Sequence, residues 1–244
     1  TSKKYIKVMD LASNNILFVM EGKREESVVE SMQKVLFDDK TVITCVFGTV
    51  VYALYNEIKE DRDLDVFTLL KNRIKELQKF DRNTFSEIYL FFDYDAHASN
   101  ASNTKLEVLF STFDNETENG KLYVSYPMLE ALKHYTTLQD FKTKIAKCND
   151  QYKKQVNREC DPKYIDFNRY DKEIWGKLSE AHLCKMNYIV TDDYKFPTEY
   201  FSQLSIFEKQ KEKYKVPNEV GVLSAFPVFL YDEFGREKLL RKLK

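Results

Sequence analysis

The sequence predicts an α/β protein, a parallel β-sheet with helices on both faces, followed by a mainly helical region. Three observations carry this. Short continuous apolar runs alternate with stretches of helical periodicity, as strand–helix–strand units require. Two of those runs stop abruptly at acidic residues. Glycine and proline are scarce, 6 and 5 in 244 residues, so elements should be long and loops few.

Ile16-Leu17-Phe18-Val19-Met20 is apolar throughout and ends at Glu21-Gly22, the pattern of a strand buried on both faces. From Glu25 to Leu36, Val28, Val29, Met32, Val35 and Leu36 share one helical face, and Asp38-Asp39 closes the segment. Thr41 to Phe47 is rich in β-branched residues and ends at Gly48, giving a second strand. Thr49 to Leu77 reads as two helices separated by the charged break Glu60-Asp61-Arg62-Asp63. Glu87-Ile88-Tyr89-Leu90-Phe91-Phe92 is a third strand running into Asp93-Tyr94-Asp95. Ser102 to Phe113 is helical, Asn115 to Gly120 a polar turn, and Lys121 to Tyr126 a fourth strand stopped by Pro127. Strand and helix thus alternate to about residue 135. Residues 136 to 244 change character. Positions 136 to 215 are polar, lysine-rich and helical by pattern, Val220 to Leu230 is apolar and contains Pro227, and Glu233 to Lys244 reads as a short basic helix. Two regions follow, 1–135 and 136–244.

Composition narrows the function classes. Hydrophobic residues make up 43% and charged residues 32%, which fits a globular chain and excludes dominant disorder. The formal charge of −1 argues against a passive polyanion binder, while leaving room for a local basic patch. Cys45, Cys148, Cys160 and Cys184 are far apart with no Cys-x-x-Cys, so buried free thiols are expected rather than a disulfide framework or zinc knuckle. His182 and Cys184, two apart, lack the partner pair that zinc needs. No run is long enough for a membrane span, and Thr-Ser-Lys-Lys is not the start of a signal peptide, so a cytoplasmic protein with no membrane association is expected.

The acids that end the strands are the chemical signal. Ligands of open parallel sheets bind beyond the carboxyl ends of the strands. Glu21, Asp93 and Asp95 should face that crevice, with Glu25 one helical turn after Glu21. On an extended backbone Asp93 and Asp95 would point the same way and Tyr94 elsewhere. Several carboxylates without matching cations repel one another unless a metal neutralises them, and oxygen ligands favour magnesium or manganese. Such ions suit phosphodiester chemistry. Taken singly, each acid has a plainer reading as a helix cap.

The string from Ile16 through Glu21-Gly22-Lys23-Arg24-Glu25, followed by Tyr89 to Asp95, resembles the Toprim pattern of topoisomerases, bacterial primases and OLD-type nucleases. The resemblance covers about residues 14 to 135. It implies a Toprim-like, Rossmann-like domain in which Glu21 is metal ligand or general base, Asp93 and Asp95 are metal ligands, and Glu25 helps hold a second ion. It also implies a lysine after the fourth strand that stabilises transition-state charge, for which Lys133 is nearest. Glu130 could instead join the metal shell, and both residues sit on a predicted helix where surface charge is the plainer reading. The interval from Glu21 to Asp93 is longer than in compact Toprim domains, and the region from 136 matches no family pattern.

His97 could assist a leaving group or bind phosphate, or be a loop histidine. Ser99 and Asn100 have the same ambiguity, with capping by Ser99 or Ser102 the plainer role. Lys142 to Lys144, Lys153-Lys154 and Lys209 to Lys215 could follow a phosphate backbone, although interspersed acids suggest solvated helix faces. The leading expectation is a metal-dependent endonuclease acting on DNA or RNA with two Mg²⁺ or Mn²⁺ ions. The resemblance extends to anti-phage defence nucleases that work with an ATPase. Lacking a phosphate-binding Gly-rich loop, this chain would need that ATPase as a separate partner. A homodimer is a further expectation. The competing expectations are primase-like nucleotidyl transfer and a non-catalytic interaction module.

Overall fold

The computed structural model describes residues 15–37, 41–60, 66–96, 98–149 and 151–244. The expected acidic turn at Asp38-Asp39, most of the charged break after Glu60, and His97 lie outside the described residues.

The chain is α/β. The first strand, β1 (Asn15–Met20), is followed by α1 (Arg24–Leu36), β2 (Thr41–Val46), α2 (Tyr52–Glu60), α3 (Val66–Arg73), β3 (Glu87–Asp93), α4 (Asn103–Thr112), β4 (Asp114–Asn115) and β5 (Gly120–Ser125). The sheet has five strands in the order β2-β1-β3-β5-β4. The first four are parallel, in registers that place Phe18 beside Tyr89 and Phe91 beside Tyr123. The two-residue β4 is antiparallel and makes a small hairpin with β5 where the sequence shows only a polar turn. Gly120 sits at that turn with φ +89°, and a side chain there would collide with Leu90.

Strand order determines where the crevice lies. From β1 the chain steps to one side, forming β2, and then returns past β1 to form β3 on the other. The direction of winding reverses between β1 and β3, so helices diverge to opposite faces there and leave a gap at the carboxyl ends.

Both faces of the sheet are covered, and every residue from Ile16 to Met20 is buried. One face carries Phe18, Tyr89, Phe91 and Tyr123, all packed on Phe229 with ring centroids 4.7 to 5.6 Å away. Phe229 belongs to the C-terminal region. There the elements are α5 (Leu138–Thr143), β6 (Ile145–Lys147), α6 (Tyr152–Glu159), α7 (Lys172–Thr191), α8 (Gln203–Lys213), β7 (Glu219–Gly221) and α9 (Ala225–Leu243). Phe226 of α9 also stacks on Phe91, at 4.7 Å. On the opposite face Phe92 meets Phe47, and Tyr94 meets Phe207 of α8. The helical C-terminal region therefore supplies part of the cover for both faces of the sheet.

Two local readings change. The apolar stretch before the expected terminal helix is itself helical from Ala225, because Pro227 falls in its first turn, where no intrahelical N–H bond is lost. Gly235, at φ 66° and ψ 168°, then breaks that helix in two. The helical reading of Thr49 to Leu77 holds as α-helix only to Arg73, after which Lys75–Lys79 is a 3-10 turn.

Buried polar groups at the centre of α7 tie the regions together. His182 Nδ1 accepts the Ser224 N–H at 3.0 Å, so its proton sits on Nε2, which donates to the Leu132 carbonyl at 3.2 Å. Burial pushes the His182 pKa down to about 3. Lys185 Nζ donates to the carbonyls of Lys142 and Lys144, clamping the α5–β6 corner. No helix among the described residues is long and apolar enough to cross a membrane.

Candidate functional site

Glu21 is the first residue past β1, and its N–H still bonds the Phe91 carbonyl at 3.0 Å, so the backbone that carries it is an extension of the sheet. Its Oε2 accepts the N–H of Asp93, the last residue of β3, at 3.1 Å. The two acids that the sequence placed at neighbouring strand ends thus meet at the switch point. Gly48 closes the approach from β2. Its φ of +78° disfavours other residues, and its N–H bonds the Glu21 carbonyl at 3.0 Å.

Glu25 lies in the first turn of α1 and is buried. Backbone N–H groups of Glu25 itself and of Gly22 stabilise its carboxylate. With Glu21, Lys23, Arg24, Thr49 and Leu129 it lines an open cleft of about 470 Å³.

Asp95 departs from the extended geometry expected of it. The strand stops at Asp93, and Asp95 adopts φ 44° in the left-handed region. Aspartate tolerates this region better than most residues, and such conformations concentrate at functional sites. The simple alternation that would aim Asp93 and Asp95 together therefore does not reach Asp95. Tyr94 does point elsewhere, with its hydroxyl donating to Asn103 of α4 at 2.9 Å. The Tyr94 carbonyl accepts from Tyr52 of α2, which anchors the turn at 3.0 Å.

Electrostatics shows that the acids feel one another. Burial raises the Glu21 pKa to about 8, with Asp95 and Glu25 adding repulsion and the Asp93 N–H opposing. Glu25 is raised to about 7, first by burial, with Glu130 adding repulsion and Arg24 opposing. Although Asp93 keeps some exposure as a residue, its carboxyl is desolvated. It is pushed well above the carboxylate range by that burial and by Glu21, Glu25, Asp95 and Glu130. Acids raised in concert mark candidate functional sites.

The second tier of candidates lies on a 3-10 turn, Leu129–Lys133, rather than on an α-helix. Glu130 is buried and paired with Arg24, and Lys153 of α6 approaches the same oxygen at 3.8 Å. Lys133 is buried too. Its Nζ donates to Asn157 of α6 at 2.6 Å and lies 5.6 Å from the centre of the Phe167 ring. Burial lowers its pKa. Ser102 occupies the N-cap position of α4, but its side chain makes no capping bond.

Sequence reasoning did not single out Arg24, and it named Lys153 only as part of a lysine pair, not as a partner of Glu130. Arg24 stands inside the string that carries the family resemblance, and Lys153 in a lysine pair read as solvated, yet their convergence on Glu130 spans 106 residues and leaves no local trace.

As a donor set, Glu21, Glu25, Asp93 and Asp95 offer only oxygen ligands, the kind a hard divalent cation takes, and the raised pKa values of Glu21, Glu25 and Asp93 record charge that a cation would offset. Among the described residues, no three His, Cys, Asp or Glu side chains are arranged to hold a metal ion. The fold and site thus define an α/β protein with acids gathered at the carboxyl end of its parallel sheet, Glu21 and Glu25 lining a cleft beside the end of β2. No family model matches the chain, and comparison with curated proteins and with solved structures yields no match.

Proposed function

We propose that this chain is a metal-dependent nuclease of Toprim type, with Glu21, Glu25, Asp93 and Asp95 as its acidic centre. The observation that supports this most is the bond from the Asp93 N–H to Glu21, which joins two strand-end acids at the switch point of a parallel sheet.

In this reading the four carboxylates would hold Mg²⁺ or Mn²⁺, in a pair of ions as the resemblance implies. When bound, such ions lower the pKa of coordinated water and offset charge on phosphate oxygens. Glu21 would act as a metal ligand or, once deprotonated, as general base toward an attacking water. Lys133 would supply positive charge from the second tier, its ammonium oriented by Asn157. A separate ATPase as trigger belongs to the same proposal.

The test is cleavage of plasmid DNA, single-stranded DNA, total RNA and transfer RNA with magnesium or manganese, beside Glu21→Gln and Asp93→Asn. Cleavage should fall at least ~100-fold in each variant and vanish with chelator. A second reading, a non-catalytic module that keeps the fold, is favoured by one observation, that no described set of three side chains is arranged for a metal. Wild type and variants behaving alike on every substrate, with host lysate present to supply a partner, would establish that second reading.

A further inference from the structure

The lysine-rich stretches have different fates. On α8, Lys209 pairs with Glu212, Lys211 with Glu107, and Lys213 with Asp192. Lys142 lies over the rings of Tyr188 and Tyr194. These cations are occupied in holding the fold together.

The short helix α6 is different. Tyr152 and Val156 bury its inner side, and Tyr152 meets His134 Nδ1 at 3.0 Å. Lys153, Lys154 and Arg158 are exposed, and Glu159 is the one acid within the helix. Glu159 is engaged by His134 at 3.1 Å, with Arg158 3.8 Å from its other oxygen. Lys154 and Arg158, four apart, share an outward face. Lys153 and Asn157 share the neighbouring one, which looks toward Glu130 and Lys133.

Arg24 of α1 and Lys153 of α6 reach one buried carboxylate, Glu130, and their side chains remain 46% and 50% exposed. Two cations on one acid leave a net positive charge facing solvent. It stands beside Glu25 and Asp93, both of which feel Glu130. The carboxylate cleft therefore has a cationic rim at Arg24 and Lys153, and Lys153 carries it onto the outer face of α6. From Lys153 to Arg158 the helix rises about 7.5 Å, and phosphates of one duplex strand recur at about 3.4 Å of rise, so this face spans about two intervals, or about three phosphates.

We propose that α6 is the nucleic-acid track of this protein: Lys153, Lys154 and Arg158 contact backbone phosphates flanking the one that enters the carboxylate cleft, and Arg24 and Lys153, held by Glu130, form the threshold between track and cleft. This rests on the nuclease reading. Contacts of this kind position a strand without reading its sequence, so the track takes DNA or RNA of any sequence.

The test separates binding from cleavage. Binding of a fluorescein-labelled 20-nucleotide DNA and of the matching RNA is followed by anisotropy in EDTA, across a salt series. The proteins are wild type, Lys153→Gln/Lys154→Gln/Arg158→Gln, and the α8 control Lys209→Gln/Lys211→Gln. Removing three phosphate contacts should weaken binding roughly tenfold or more and lower the slope of log K against log salt by about 2 to 3. The α8 control should keep the wild-type slope. Because a triple variant can lose its fold, Arg158→Gln alone, at a side chain 76% exposed, is measured as well and should lower the slope by about 1. An α6 variant that folds and keeps the wild-type slope overturns the track, as does a wild type that binds neither oligonucleotide. The nuclease reading is judged independently, by whether Glu21→Gln and Asp93→Asn abolish cleavage.

Discussion

The sheet carries acids at both ends, and the two ends treat them differently. At the amino end, Glu87, Glu116, Asp232 and Glu233 gather with Lys121 and Lys238 around a cleft of about 350 Å³. There Lys121 pairs with Asp232 and lies 3.6 Å from Glu116, Tyr123 donates to Asp232, and Tyr89 donates to Glu233 at 2.8 Å. At the carboxyl end Glu21 is answered by a backbone N–H, and Glu21, Glu25 and Asp93 are all pushed up by burial and by one another. Acid density is similar at the two ends. What differs is partnering: at the amino end lysines and tyrosine hydroxyls hold the acids in a brace between the sheet and α9, while at the carboxyl end Glu21, Glu25 and Asp93 are buried against one another.

This contrast is best tested by the pH dependence of stability. Glu21 has a pKa near 8 in the folded protein against an ordinary 4.5, so between those values the unfolded chain has released a proton that the folded one retains. Its contribution is fully present below about pH 4.5 and is lost as pH rises through 8; Glu25 acts with the same sign up to about 7. His182 and Lys185 act oppositely, since their folded values of about 3 and about 7 lie below the ordinary 6.5 and 10.5. The informative quantity is therefore the difference between wild type and Glu21→Gln. The variant should melt higher at pH 8 by on the order of 5 °C and match wild type near pH 4.5. Magnesium or manganese should narrow the gap by raising the wild type alone. Equal melting at both pH values would show that the carboxyl end is as well compensated as the amino end.

A smaller effect is expected at the brace. Asp232→Asn weakens the Lys121 pair and the Tyr123 hydrogen bond, both partly buried, and should cost about 1 to 3 kcal/mol in denaturant unfolding while leaving cleavage unchanged. Loss of cleavage there would place the functional acids at the wrong end of the sheet. The smallest stability effect belongs to Asp95→Gly. Glycine accepts φ 44° without strain, so stability should stay within about 1 kcal/mol of wild type while cleavage falls.

The ease of reading these features from sequence follows from their range along the chain. β1, β3 and β5 were visible as apolar runs because strands buried on both faces leave no polar alternation, and Glu21 and Asp93 stood out where those runs stop. The left-handed turn at Asp95 was hidden, since nothing local distinguishes it from one more extended residue. The meeting of Arg24, Glu130 and Lys153 was hidden because it depends on tertiary packing of three separate elements. The same holds for β6 and β7, three-residue strands that pair Ile145 with Gly221 and carry no periodicity of their own.

The packing of Phe229 on Phe18 also bears on how the molecule comes into being. More than 200 residues separate the two rings along the chain. At ribosomal speeds of 5–20 residues per second, roughly 10 to 40 s pass between their synthesis. Throughout that interval one side of the earliest strand has no lid, and the crevice above it has no settled floor. A nascent chain thus carries all four acids long before it can hold them in place. If the protein cuts nucleic acid, it does so only once translation has passed α9, safely after its own messenger has been read through that point.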